Sequence, residues 1–160
     1  ADNIPLVLLN QELLGKGVES EIYEESIKSL LNYALLQEEI QGQSVRMHRL
    51  MQDVVRLSLT HERLVERFTL IANRITDEYN LDRTVLEQET IQQILLPHLE
   101  YLQHLGEKNV ELENSKEQGF VLDCIGYYYQ YRKGDYDKSC KILEKALKIK
   151  IIHYGEDHPQ

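Results

Sequence analysis

The chain has 160 residues, 18 Lys+Arg against 27 Asp+Glu, and a formal net charge of −9. This length suits one ordinary domain or two small ones. The 42% hydrophobic content excludes wholesale disorder. No apolar run approaches the ~20 residues that a membrane span needs, and no basic-then-apolar secretory leader is visible. The acidic balance argues against nucleic acid as the main partner, because phosphate neutralisation supplies most of that affinity. Cys124 and Cys140 lack a CxxC spacing and read as reduced, buried helix residues of a cytoplasmic protein.

With only three prolines and eight glycines, the chain favours helices. Asn3 as cap and Pro5 in the first turn predict a helix that ends at Leu14 before Gly15, with Leu6, Leu9 and Leu13 as its apolar stripe. A second helix is expected from Ile22 to Tyr33, burying Ile22, Ile27, Leu30 and Leu31. Residues 34–39 then read as a short strand, Gln41 to Gln43 as a turn, and Ser44 to His48 as the antiparallel partner. Alternation turns Leu36 and Val45 toward a core. Leu50, Val54 and Leu57 restore helical spacing up to Leu59. Helix, helix, hairpin, helix is the order of a winged-helix domain, expected over residues 1–60.

Residues 61–114 read as an acidic helical connector. Leu64, Phe68, Ile71, Ile75 and Tyr79 form one stripe. After a break at Asn80 to Asp82, a shorter helix carries Ile91, Ile94 and Leu95. Pro97 is placed to open the next helix, with Leu99, Leu102 and Leu105, before Gly106 stops it. Residues 107–114 show no periodicity, and Asn114 with Glu117 suggests a capping box. Residues 115–160 read as a helical hairpin. Its first helix holds Phe120, Cys124, Ile125, Tyr128 and Tyr129. Gly134 breaks it, and Asp135 caps a second helix with Tyr136, Cys140, Leu143 and Leu147 on one face.

Ile125-Gly126-Tyr127-Tyr128-Tyr129, Gly134-Asp135-Tyr136, Ala146-Leu147 and the tail Tyr154-Gly155-Glu156-Asp157-His158-Pro159 resemble a tetratricopeptide repeat of the kinesin-light-chain kind. Small residues at the helix crossing (Gly126, Ser139, Ala146) agree with that resemblance, and Pro159 would start another repeat. Four residues separate Tyr129 from Gly134 where the family usually has three, so a bulge or an early end is expected in the first helix. Since one such hairpin does not stand alone, the chain is expected to be a piece of a longer array.

The second resemblance lies upstream. Leu31 to Gln37 and the run Arg46-Met47-His48-Arg49-Leu50-Met51-Gln52-Asp53-Val54-Val55-Arg56 look like the winged-helix region of NB-ARC (STAND) signal-transduction ATPases of the tetratricopeptide branch. Leu96-Pro97-His98 is similar to a segment that precedes the repeats in that branch. Arg49 replaces the family's acidic residue. The resemblance implies that His48 contacts the β-phosphate of ADP held in an upstream nucleotide-binding domain. Read from its neighbours alone, His48 equally suits a surface or helix-capping histidine.

No Gly-x4-Gly-Lys-[Ser/Thr] loop occurs, and Gly15-Lys16-Gly17 lacks the upstream glycine and the hydroxyl. No cofactor is therefore expected in this chain, with ADP or ATP bound only through an upstream domain. His98 and His104 do not share a helical face, so no metal site is expected. Glu24-Glu25 and Glu38-Glu39 read as solvated faces, and no Ser or Cys has a base at a suggestive spacing. Catalysis is not expected.

The whole reads as a mainly α chain: a winged helix with one small β-hairpin, a helical connector, then a tetratricopeptide α-hairpin. Its expected role is that of a non-catalytic regulatory and protein-interaction fragment of a nucleotide-dependent switch. Its partners would be a protein or peptide ligand and an intramolecular ATPase domain, with no membrane. The alternatives are a tetratricopeptide scaffold or cargo adaptor without a nucleotide role, and a winged-helix transcription regulator using Arg46, Arg49, Arg56, Arg63 and Arg67. Steps of ~100° per residue leave Tyr127 and Tyr131 on one face as candidates for peptide or protein binding. Tyr128 and Tyr129 continue the core stripe. Lys138, Lys141, Lys145 and Lys148 would mark the exposed side of the second helix and steer an acidic partner.

Overall fold

A computed structural model describes residues 3–5, 8, 20–39, 44–80 and 85–155. These residues are mainly α-helical with one small three-stranded sheet. In chain order the elements are β1 (Asn3–Pro5), α1 (Ser20–Asn32), β2 (Leu36–Glu38), β3 (Ser44–Met47), α2 (Arg49–Ser58) and α3 (His61–Asn80). Then follow α4 (Val85–Glu107), α5 (Val110–Glu113), α6 (Lys116–Tyr128), a π-helical segment Tyr129–Lys133, and α7 (Tyr136–Tyr154). The chain divides into two compact units, Ala1–Leu64 and Val65–Gln160, with the boundary in the first turn of α3. None of the described helices is long and apolar enough to cross a membrane.

In the first unit the hairpin lies where alternation put it. β2 and β3 pair antiparallel with Leu36 opposite Met47 and Gln37 opposite Arg46. Leu36 and Val45 are buried, at 4% and 1% exposure. The hairpin is extended by a strand that local pattern hides. Asn3–Pro5 pairs antiparallel with β3, Ile4 opposite Val45, and corrects the expected helix start at Asn3. Asn and Pro suit an edge strand as well as a helix start, and the exposed hydrogen-bonding groups of β3 decide between them. The expected stripe residues Leu6, Leu9 and Leu13 lie outside the described residues, as does the turn at Gln41 to Gln43. The α1 helix ends in paired reverse bonds, Leu35 N–H to the Leu30 carbonyl (2.9 Å) and Ala34 N–H to that of Leu31 (3.0 Å), with Ala34 in the left-handed region.

Two expectations on burial are corrected in this unit. Of the α1 residues expected inside, Ile22 is exposed and Ile27, Leu30 and Leu31 are only half-buried. The α2 helix forms as its spacing predicts, yet Leu50, Val54 and Leu57 are exposed, and none of its residues is buried. A helical period reports which residues share a face; it does not report what covers that face.

The second unit holds the larger core. Phe68, Ala72, Ile75 and Tyr79 are the buried stripe of α3, while Leu64 is half-buried and Ile71 exposed. The α4 helix corrects two readings at once. It is a single helix of 23 residues, with Pro97 inside it rather than at a new start. Pro97 leaves one carbonyl of the preceding turn without its N–H partner. Leu95 on one side of it and Leu99 and Leu102 on the other are all buried, and α4 packs on α6, so burial on both flanks carries the helix through. The stretch after Gly106 is not wholly irregular. Asn109 caps the four-residue α5, whose Leu112 is buried. Ser115, rather than Asn114, caps α6 by accepting the Gln118 N–H (3.1 Å).

The α6 and α7 helices form a close antiparallel hairpin. Gly126, Ser139 and Ala146 are all buried at the crossing, and the Ser139 hydroxyl donates to the Gly126 carbonyl (2.9 Å). A Cβ on Gly126 would lie 2.5 Å from Leu143 Cδ2, so any larger residue would have to displace the Leu143 side chain. The extra residue before Gly134 is absorbed by the π-helical turn, and Gly134 closes it at φ 65°. Asp135 caps α7 through the Lys138 N–H (3.0 Å). The buried face of α7 is Ser139, Ile142, Ala146 and Ile149. This corrects the expected inner face, because Tyr136, Cys140 and Leu147 are exposed and Leu143 is half-buried. Two apolar stripes run along α7; α6 buries one of them and covers the other only at Leu143.

Candidate functional site

The second, more exposed stripe of α7 and the outer side of α6 border an open groove of about 460 Å³. Tyr127, Tyr136, Leu143 and Leu147 supply its apolar lining, and Asp123, Glu144 and Lys150 are its charged groups. Tyr127 and Tyr131 stack beside it with ring centroids 6.1 Å apart and planes 26° apart. Tyr127 is 45% exposed and Tyr131 72%. Tyr128, by contrast, is buried, and Tyr129 is half-buried with its hydroxyl donating to Glu100 (2.7 Å). The helical step thus separates the four tyrosines into two outward and two inward rings. Paired phenols offer an apolar surface with polar tips at small entropic cost, which suits contact with a protein or peptide.

Of the four lysines expected to face a partner, two are already committed. Lys138 lies 3.7 Å from Glu100 and over the Tyr129 ring, and Lys145 bonds Glu107 at 2.8 Å, holding the Glu107 carboxyl below its ordinary value. This corrects the reading of all four as one steering face. Both acids lie on α4, whose position beside α7 no local pattern reports. Arg132 makes a further latch that the sequence did not reveal. From the π-helical turn its guanidinium reaches Gln92 (3.0 Å) and Glu89 (2.6 Å) on α4, pinning the end of α6. Lys141 and Lys148 are exposed.

Within the groove, Lys150 meets Asp123 at 2.6 Å, but burial outweighs it and pushes the Asp123 carboxyl up. An acid whose folded value is raised contributes stability that is full below its unfolded value and is lost as pH rises through the folded one. Asp123→Asn is therefore expected to flatten the stability profile just above the ordinary carboxylate range, with no large loss at neutral pH. Melting temperatures measured across mildly acid pH check this, and a steep loss in the variant at neutral pH would refute it.

Neither cysteine is an activated nucleophile. Burial and the neighbouring Asp123 charge push the Cys124 thiol up to about 12. Cys140, exposed rather than buried as expected, is raised by its bond to Glu144. Among the described residues no group of three or more His, Cys, Asp or Glu side chains is arranged to hold a metal ion.

In the first unit His48 is exposed at the start of α2, where its Nδ1 accepts the Leu50 N–H (3.3 Å). The ring thereby caps its own helix. Of the arginines considered for DNA, Arg46 pairs with Glu39 and Arg56 with Asp53 and Gln52. These local pairs consume charge that a duplex reader would direct at phosphates.

Residues 1–64 match the model of a domain of unknown function, DUF7779, a span that coincides with the first compact unit. No curated protein and no solved structure matches the chain.

Proposed function

We propose that the chain is a non-catalytic, protein-interacting part of a cytoplasmic nucleotide-dependent switch, binding a protein or peptide at the α6–α7 hairpin. The observation that carries the binding role is the stacked, exposed Tyr127–Tyr131 pair beside an open groove on an otherwise close-packed hairpin. The switch role rests on the resemblance of the His48 region to the winged helix of NB-ARC ATPases and of the hairpin to a tetratricopeptide repeat. In that reading the first unit packs on an upstream ATPase domain, and the hairpin belongs to the ligand-sensing array. Ligand binding and nucleotide state would then bias the same two-state equilibrium. His48, occupied as a helix cap, would have to release the Leu50 N–H to meet a phosphate. That cap is the observation favouring the second reading, a scaffold or cargo adaptor without a nucleotide role.

The test compares Tyr127→Ala plus Tyr131→Ala with Tyr129→Ala. The double variant is expected to lose partner proteins captured by proximity labelling while keeping the melting temperature. Tyr129→Ala, which removes the bond to Glu100, is expected to lower stability first. Unchanged labelling in the double variant would remove the tyrosines from the binding role. Isothermal calorimetry should show no ADP binding to this chain; micromolar binding would overturn the assignment of the phosphate cradle to another domain.

A further inference from the structure

The outer side of α7 carries two parallel stripes with the same spacing. Tyr136, Cys140, Leu143 and Leu147 stand at i, +4, +7 and +11, and Asp137, Lys141, Glu144 and Lys148 follow one residue later at the same intervals. All four charged residues are exposed. The charges alternate along the edge, acid, base, acid, base. The two i, i+4 pairs this order allows, Asp137–Lys141 and Glu144–Lys148, are not among the ion pairs formed by the described residues, although the acid precedes the base in each as a helix prefers. An apolar stripe that α6 covers only at Leu143 is therefore bordered by charges that make no ion pair within the helix, Glu144 there accepting only the Cys140 thiol.

That arrangement is complementary to itself in one orientation. A two-fold axis perpendicular to α7, at the level of Ile142, turns the helix antiparallel to a second copy. It sets Tyr136 opposite Leu147 of the other chain and Cys140 opposite Leu143, each contact occurring twice. The same axis brings each charged edge against its own copy. Asp137 then faces Lys148 and Lys141 faces Glu144, again twice each, with every sign opposed. A parallel two-fold would instead carry the charged edges to opposite sides of the seam, where they could not meet. We propose that the outer face of α7 is a self-recognition surface through which two copies of the chain form an antiparallel, isologous dimer. The inference does not depend on the nucleotide-switch reading. Because Tyr136, Cys140, Leu143 and Leu147 also line the groove beside Tyr127, a second copy and a ligand in that groove would compete.

Contact along about three helical turns falls at the low end of specific interfaces, below ~1,200 Å². The dimer is accordingly a reversible one that dissociates on dilution. Sedimentation velocity over a wide concentration series is expected to show the monomer-to-dimer transition. Lys141→Glu with Lys148→Glu makes the edge wholly acidic, and Asp137→Lys with Glu144→Lys makes it wholly basic. Each double variant alone is expected to stay monomeric, and an equimolar mixture to dimerise at least as well as the unaltered chain. Unaltered chain that stays monomeric throughout, variants that dimerise alone, or a mixture that does not would each overturn the proposal. Circular dichroism melts verify that the variants fold. A second readout needs no charge variant. Cys140 lies within one turn of the axis and is exposed, whereas Cys124 is buried. A short bis-maleimide is expected to join two copies in a way that Cys140→Ser abolishes; absence of the cross-linked dimer would also overturn the proposal.

Discussion

Replacing Ile125 by alanine is expected to lower the melting temperature of the second unit by about 10 to 30 °C. Ile125 has no exposed surface and lies on α6, which packs chiefly on α4 and α7. Truncating such a side chain costs ~2–5 kcal/mol, because the lost transfer energy is joined by a cavity that close-packed helices fill only in part. In a unit of this size each kcal/mol moves the midpoint by roughly 4–8 °C. Tyr131→Ala on the same hairpin removes a larger side chain, yet it is 72% exposed and should change stability by no more than ~0.5 kcal/mol. Thermal unfolding followed by circular dichroism compares the two. Equal losses would mean that the inner and outer faces of α6 have been interchanged.

Leu36→Asp is expected to unfold the first unit. Leu36 shares the inner face of the small sheet with Val45 and lies opposite Met47. An aspartate there would place a charge with no counter-ion at a position of 4% exposure, a cost of several kcal/mol. A unit of about 64 residues has little reserve against such a loss. Loss of hydrogen-exchange protection at the β2–β3 ladder amides would register the effect. The neighbouring Gln37 is exposed, so Gln37→Asp should leave the protection intact. If Leu36→Asp keeps the ladder protected, the burial of this face is not what holds the unit together.

The parts of this architecture that were legible without the fold are those decided within a few residues. The hairpin followed from alternation at 34–48, because a strand turns successive side chains to opposite faces. The Asp135 cap followed from a side-chain oxygen placed three residues before its N–H donor. The irregular turn at Tyr129–Lys133 was announced by one residue too many before Gly134, and a π-helical turn accommodates such an insertion without breaking the helix. Small residues at 126, 139 and 146 likewise marked where two helices come closest.

Of the candidate site, the outward pairing of Tyr127 and Tyr131 was readable from the helical step, but the lysine face was not. Lys138 and Lys145 looked free because the acids that hold them, Glu100 and Glu107, are 38 residues away in each case and on another helix. No local spacing records that proximity. Arg132 is hidden for the same reason, since Glu89 and Gln92 meet it only after α4 and α6 have packed.

The sequence by itself determined the helical character of the chain, the hairpin at 34–48, the closeness of the α6–α7 crossing and the separation of the tyrosines into two faces. Each rests on backbone geometry and nearest-neighbour sterics, which act over one or two turns. Only the tertiary structure decided that Asn3–Pro5 is a strand, that α4 runs through Pro97, and that the inner face of α7 is Ser139, Ile142, Ala146 and Ile149. In each case two local outcomes were close in energy. A partner outside the local pattern separated them: β3 offered hydrogen bonds to β1, buried leucines flanked the proline, and α6 came close enough at Gly126 to bury the Ser139 stripe of α7 and, of the other stripe, to cover only Leu143.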